Sequence, residues 1–261
     1  MCGKKLRGKE SVCRCTKQGR NTRKGKKLEV CHFCGFLHNP RQMSGTATLL
    51  IETSTPQGSI GLFDGKWHEE TFLSERSHNC DIFAPLTKIT AGLVPGDIGA
   101  IIVGTGPGSY SGSRVGIAVG QGLAIAHNCP LIGLPSFLAT VPARERSRCL
   151  AIGDARRGDW WWAEITAGNS SGDPAMGGLE EMRAMIANGE PGVFSLDEID
   201  AATFARTIAR ETPSAGRLWQ CWCALDEQEK SFHASRPVQP VYLKPPHVTT
   251  AKSGHPLQRG R

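Results

Sequence analysis

Residues 98–127 hold the arrangement most open to chemistry. An apolar run, Ile98 to Val103, leads into Gly104-Thr105-Gly106-Pro107-Gly108-Ser109-Tyr110-Ser111-Gly112, and Ser113 to His127 then reads as a helix. Glycines in such a turn let backbone N–H groups approach an anion at a helix N-terminus, so phosphate binding is the first reading to test. The spacing disfavours it. The loop lacks the Gly-Lys-Ser/Thr ending that brings a lysine to a terminal phosphate. Counted from Gly104 or from Gly106, the last glycine of a G-x-G-x-x-G is replaced by Ser109 or Ser111. No acidic residue occurs between Asp97 and Glu145 to hold a ribose. Generic nucleotide folds are therefore demoted.

Two other chemistries can be weighed from residue types. Cys31-His32-Phe33-Cys34-Gly35 is a C-x2-C-G knuckle, and Cys13 and Cys15 are available as a second thiolate pair for tetrahedral zinc, although a C-x-C partner is off the usual pattern. Metal-assisted catalysis in the main domain finds less support. His68 and His78 are isolated, and no two histidines stand four apart, so neither H-x-x-x-H nor H-E-x-x-H is present. No catalytic residue and no cofactor is assigned. The helix after the glycine loop offers a different clue. Gly116, Gly120 and Ala124 recur at four-residue steps, with Gly122 and Ala126 nearby. Glycine costs about 1 kcal/mol against alanine inside a helix, so this smooth ridge calls for close packing. Its own sheet and a second subunit are equally good partners for it.

Gly106 to Ala118, read as GPGSYSGSRVGIA, resembles the GPGSYTGLRVGIA signature of the TsaB (YeaZ) family. Gly106, Pro107, Gly108, Ser109, Tyr110 and Gly112 form its loop. Four further segments agree in order: Ile51-Glu-Thr-Ser-Thr55, Pro130-Leu-Ile-Gly-Leu-Pro-Ser136, Asp154-Ala-Arg-Arg-Gly158 and Pro240-Val-Tyr-Leu-Lys-Pro245. The resemblance spans Thr48 to about Pro246. It implies an α/β, actin-like (ribonuclease-H-like) fold of two lobes with the second degenerate. It implies a non-catalytic partner subunit in making threonylcarbamoyladenosine at position 37 of tRNA, without independent turnover. The partners implied are a TsaD-type transferase in a heterodimer and a TsaE-type ATPase, with tRNA met only through the complex and a homodimer available to the subunit alone. The heterodimer contact would fall on the helices Asp81 to Leu93 and Ser113 to His127, through Ile82, Leu86, Ile89, Arg114, Gly116, Gly120 and Ala124. Glu52 departs from the family, which usually has Asp there, and its longer side chain would alter any phosphate or metal geometry. The first 42 residues are foreign to the family.

The elements that must position the loop follow from patterning. Ala47 to Thr53, Ser59 to Phe63 and Trp67 to Leu73 read as strands, with turns at Pro56-Gln57-Gly58 and Asp64-Gly65. Ile82, Leu86, Ile89 and Leu93 recur at helical spacing, with Pro85 near the first turn. Leu131 to Leu134 is a short strand, and Ser136 is placed to cap a helix. Cys149 to Asp154 and Trp160 to Ile165 open a second unit, with the tryptophan run as packing between lobes. Residues 167–178 read as a polar loop, Ala201 to Arg210 as a helix, and Pro237 to Pro246 as an extended end. The divisions expected are residues 1–42, a first lobe 43–146, and a second lobe with a Pro-rich tail, 147–261.

Charge follows the same division. Residues 1–42 hold twelve of the 31 Lys and Arg but only Glu10 and Glu29 of the 24 acids, a balance of +10 that leaves −3 for the remainder. A direct RNA-binding role for the main domain thus gains nothing from charge. The basic segment has too few large apolar residues to fold alone. Disorder, zinc binding, or translation starting at Met43 would each account for it. No apolar run approaches the ~18 residues of a membrane span, and no apolar stretch follows the basic N-terminus as a secretory signal would require, so a cytoplasmic protein is expected. Two other functions stay in view: a TsaD-type transferase, and a zinc-ribbon RNA-binding adaptor built on residues 1–42.

Overall fold

The computed structural model describes residues 46–74, 78–170, 172–187 and 192–244, all within one compact unit, Phe36–Arg261. The zinc candidates Cys13, Cys15, Cys31 and Cys34, and residues 245–261, lie outside the described residues. The first sheet is built from β1 (Ala47–Glu52), β2 (Gln57–Phe63) and β3 (Trp67–Leu73), joined by tight turns and antiparallel. Two short helices follow, α1 (His78–Asp81) and α2 (Phe83–Ile89), then β4 (Ile98–Gly104), the long α3 (Tyr110–His127) and β5 (Leu131–Leu134). β4 and β5 run parallel to β1, giving the order β3-β2-β1-β4-β5.

Alternation along the strands divides their side chains between two cores. Leu49, Ile51, Ile101 and Val103 face α2 and α3, where Ile82, Leu86, Ile117 and Ala124 meet them. Leu50, Ala100 and Ile102 point to the opposite face. That face is covered by a 3-10 turn (Ser136–Ala139) and α4 (Val141–Glu145), and beyond them by a second sheet.

The second sheet contains β6 (Arg148–Asp154), β7 (Asp159–Thr166), β8 (Asn169–Ser170), β9 (Ala175–Gly178), β10 (Val193–Ser195) and β11 (Ala209–Arg210). Its order is β11-β10-β6-β7-β8, with β9 also paired to β7. Several of its strands are only two to four residues long, the degenerate half expected from the sequence. Ala151, Trp161, Ala163, Ile165 and Phe194 face the core shared with the first sheet, while Leu150, Ile152 and Trp162 face α5 (Leu179–Ala187) and the short α6 (Ala201–Phe204). The Trp160 to Trp162 run is thus split between faces: Trp161 packs toward Phe137 at 6.0 Å between ring centroids, and Trp160 meets Phe204 edge-on at 4.8 Å.

The chain then turns back. α7 (Ala215–Ala224) lies between the sheets, with Leu218, Cys221 and Trp222 in the shared core. Its first residue donates from Ala215 N to Ser59 Oγ on β2 (2.7 Å), and Trp219 stacks on Phe63 at 4.8 Å. α8 (Glu227–Ser235) rests against β5. The strands of the first sheet end at Leu134 and those of the second begin at Arg148, while α7, later in the chain, packs into the core between them.

Four local readings are corrected. α3 begins at Tyr110, three residues early, because the Ser109 hydroxyl accepts from Gly112 N and caps it. Ser136 caps no helix; its hydroxyl accepts from Gly106 N (3.0 Å). The loop 167–178 contains β8 and β9, whose pairing with β7 outweighs their turn-like composition. The helix expected over 201–210 stops at Phe204, where Ala205 turns left-handed (φ 51°), and Ala209–Arg210 pairs with β10.

Candidate functional site: the interlobe cleft and the α3 surface

The glycine loop is stitched to its neighbours rather than held open. Thr105 N donates to Leu134 O (2.9 Å), Gly106 N to Ser136 Oγ, Ser136 N to Gly106 O (2.8 Å) and Ser109 N to Ser54 O (2.7 Å). A Cβ on Gly108 would stand 2.4 Å from Ser54 O, so glycine is required for the loop to lie against the turn after β1. Most donors a phosphate would use are thus already committed to protein oxygens.

Beneath the loop sits Glu52, fully buried at the end of β1. Its Oε1 accepts from Ser54 N (2.7 Å), and Oε2 has no hydrogen-bond partner among the described residues. A Cβ on Gly104 would lie 1.9 Å from Oε2 and 2.6 Å from Ser136 Oγ, so the bare glycine makes the space this longer carboxylate occupies. Burial raises the Glu52 pKa, and the nearby Ser54 and Ser136 groups offset only part of that. A buried acid in this position discourages a phosphate above it.

Above the loop lies a cleft of about 450 Å³ between the two sheets, walled by Ser109 and Tyr110 from the first lobe and by Asp154, Arg156, Asp197 and Arg210 from the second. Its charges are largely paired. Arg156 Nη1 is 3.3 Å from Asp154 Oδ2, and Arg210 lies 3.9 Å from Glu198. Burial raises the Asp197 pKa, Arg156 and Arg210 oppose that, and Asp154 reinforces it. The turn Asp154 to Asp159 holds Arg156 and Arg157 in left-handed conformations (φ 67° and 60°). Tail residues Pro240 to Lys244 line the same cleft, a placement the sequence pattern did not suggest.

The contacts expected on α2 and α3 are largely internal. Gly116, Gly120 and Ala124 face their own sheet: a Cβ on Gly116 would meet Thr53 Oγ1 at 2.3 Å, and one on Gly120 would meet Val103 at 2.8 Å and Leu131 at 3.0 Å. Ile82 and Leu86 are buried in the same core, and Ile89 packs against it. The ridge therefore serves strand–helix packing within the chain. Arg114 alone of that set is exposed; it stacks on Tyr110 (3.7 Å to the ring centroid) and donates to Tyr242 Oη (3.1 Å). Sequence reasoning missed the opposite face. Ala118, Gly122, Ile125 and Ala126 are exposed, Ile125 to 82 %, and a Cβ on Gly122 would meet nothing within 4 Å. Phe83 on α2 is also 53 % exposed. The four-residue step of Ala118, Gly122 and Ala126, offset by two from the buried ridge, was the available signal.

Among the described residues, no three His, Cys, Asp or Glu side chains converge as a metal site. No helix among them is long and apolar enough to cross a membrane.

Comparison with known proteins agrees with this architecture. Residues 76–213 match the family model described as TsaD: tRNA N6-adenosine threonylcarbamoyltransferase. The chain is 37 % identical over 123 residues to the tRNA threonylcarbamoyladenosine biosynthesis protein TsaB of Escherichia coli, covering 44 % of this chain and 53 % of that protein. It is 29 % identical over 130 residues to the TsaB of Haemophilus influenzae, covering 47 % and 55 %. The chain spans about half the length of the curated relatives it matches. Among solved structures, YeaZ from Pseudomonas aeruginosa superposes with a TM-score of 0.58 at 24 % identity, over 76 % of this chain and all of that one. The fold is accordingly the α/β fold of YeaZ, built on two sheets. The match over residues 76–213 takes in just over half of the chain, which therefore belongs to the family whose model is described as TsaD: tRNA N6-adenosine threonylcarbamoyltransferase, and within it the chain is similar to the TsaB (YeaZ) proteins.

Proposed function

We propose that the protein is a non-catalytic partner subunit in the synthesis of threonylcarbamoyladenosine in tRNA, forming a heterodimer with a TsaD-type transferase and engaging a TsaE-type ATPase. The observation that carries the reading is the exposed face of α3. Ala118, Gly122 and Ala126 make it smooth, and Ile125 leaves a large apolar side chain in water. A helix face of small residues permits close approach by another helix, and an isoleucine left 82 % exposed gains by burial there. The names of the relatives supply the pathway. tRNA is met through the complex, since the excess of positive charge lies in residues 1–42 rather than in the lobes. Alone, the same face would support a homodimer.

The match to a transferase model favours a second reading, in which this chain transfers the threonylcarbamoyl group itself. The paired charges of the cleft, its committed loop donors and the buried Glu52 support the accessory role instead. The test is co-purification with a TsaD-type protein, using wild type and Ile125→Asp. The variant should lose the heterodimer and keep the wild-type melting temperature, because Ile125 contributes little to its own core. Wild-type affinity in Ile125→Asp would remove the α3 face from the interface, and threonylcarbamoyl transfer by the isolated chain would establish the second reading.

A further inference from the structure

The tail after α8 touches both lobes in turn. Val238 packs where Gly133 of β5 lacks a side chain, 3.1 Å from the position a Cβ would take. Val241 N donates to Thr105 O (2.9 Å), at the start of the signature loop. Tyr242 Oη accepts from Arg114 of α3. Leu243 packs against the core shared by the two sheets. Lys244 Nζ then reaches the second lobe, 2.6 Å from Asp159 Oδ2 and donating to Arg156 O at 2.6 Å.

The last contact depends on an unusual backbone. Arg156, Arg157 and Gly158 are all left-handed, which L side chains rarely adopt. Asp154 Oδ1 accepts from Arg156 N (2.6 Å) on one side of this turn, and Lys244 binds the Arg156 carbonyl on the other. The half-buried ammonium is thus built into the turn, and the contact is charge-assisted. Meanwhile Pro240 to Lys244 stand in the cleft between the lobes.

We propose that residues 238–244 act as a clasp, a conformational device that locks the turn 154–159 of the second lobe to the signature loop of the first. Coupling of this kind can be carried by a continuous chain of contacts, and the tail supplies one from Arg156 through Lys244 and Val241 to Thr105. The clasp also occupies the cleft with the protein's own chain. The angle between the lobes is then set by the fold rather than by a ligand. This inference does not depend on the proposed function.

Amide hydrogen exchange on the full chain tests it, with Lys244→Met and Arg114→Gln as two independent releases. In Lys244→Met, exchange should rise about tenfold at the turn 156–159, at Val241 and at residues 105–112, while β1 and β6 stay protected. In Arg114→Gln the effect should travel the other way, with faster exchange at the turn in the opposite lobe. Acceleration confined to the lobe that carries each substitution would overturn the clasp. Should one variant unfold, seen as lost protection in β1 and β6, the other decides by the same criterion.

Discussion

Replacing Glu52 with glutamine should stabilise the protein above mildly acidic pH, by an amount that grows until the folded carboxyl has ionised and is constant beyond that. The carboxyl is fully buried, Oε1 is satisfied by Ser54 N, and Oε2 has no hydrogen-bond partner among the described residues. Burial raises its folded pKa above the ordinary value of 4.5. Between those two values the folded state binds a proton that the unfolded state has lost. Stability therefore falls as pH climbs from about the unfolded value through the folded one, and levels off beyond it. Glutamine keeps the shape, lets its carbonyl take the Ser54 N–H, and carries no charge to bury. Its amide nitrogen takes the place of Oε2, so what the substitution removes is the cost of burying a charge, and the variant should gain on the order of 1 kcal/mol on the alkaline side. For a chain of this size that corresponds to roughly 2–4 °C in melting temperature per kcal/mol. Urea unfolding of both proteins across a pH series reads the difference directly. The gap should close toward pH 4.5, open above it, and level off once the folded carboxyl has ionised. A constant gap, or a variant that is less stable at alkaline pH, would refute the picture of an uncompensated buried carboxylate.

Gly120→Leu should lower the melting temperature of the isolated protein, with a loss of about 1–3 kcal/mol from forcing volume against Val103 and Leu131; unchanged thermal stability would contradict its placement on the sheet. Burial pushes the thiols of Cys129, Cys149 and Cys221 up to about 11, whereas Cys80 is exposed. Peptide mapping after iodoacetamide treatment at pH 8 should find Cys80 modified well before those three. Asp226→Ala removes the capping box that starts α8 and should cost about 0.5–2 kcal/mol, read as a lower urea midpoint.

The first lobe was largely legible because β1 to β4 are six or seven residues long, β1 and β4 are continuous apolar runs, and its turns carry their own chemistry. Ala47 to Glu52 needed only its apolar run, and Trp67 to Leu73 only the turn at Asp64-Gly65 before it. The second lobe was harder, since β8 and β11 are two residues long and owe their existence to pairing with neighbours. α8 has no buried residue, so its sole sequence mark is the spacing of Asp226 and Glu229. The site was legible as a place and less so as a direction. Small residues recur on both faces of α3, and periodicity cannot say which face meets the sheet. Only the packing of Gly116 and Gly120 against β1 and β4 resolves that. The role of Lys244 depends on a contact across 88 positions of sequence, which no local pattern encodes.

The return of α7 bears on how the chain is made. Leu50, Ala100 and Ile102 project from the first sheet toward a core that is closed in part by Leu218, Cys221 and Trp222. During synthesis, strands β1 to β5 emerge well before that helix exists, so part of one side of an otherwise complete sheet stays wet until residue 224 has left the ribosome. The order of translation and the order of burial disagree here. A nascent chain of the first lobe alone presents an apolar surface suited to a chaperone, and ribosome-bound intermediates ending before Ala215 should be the ones a holdase retains.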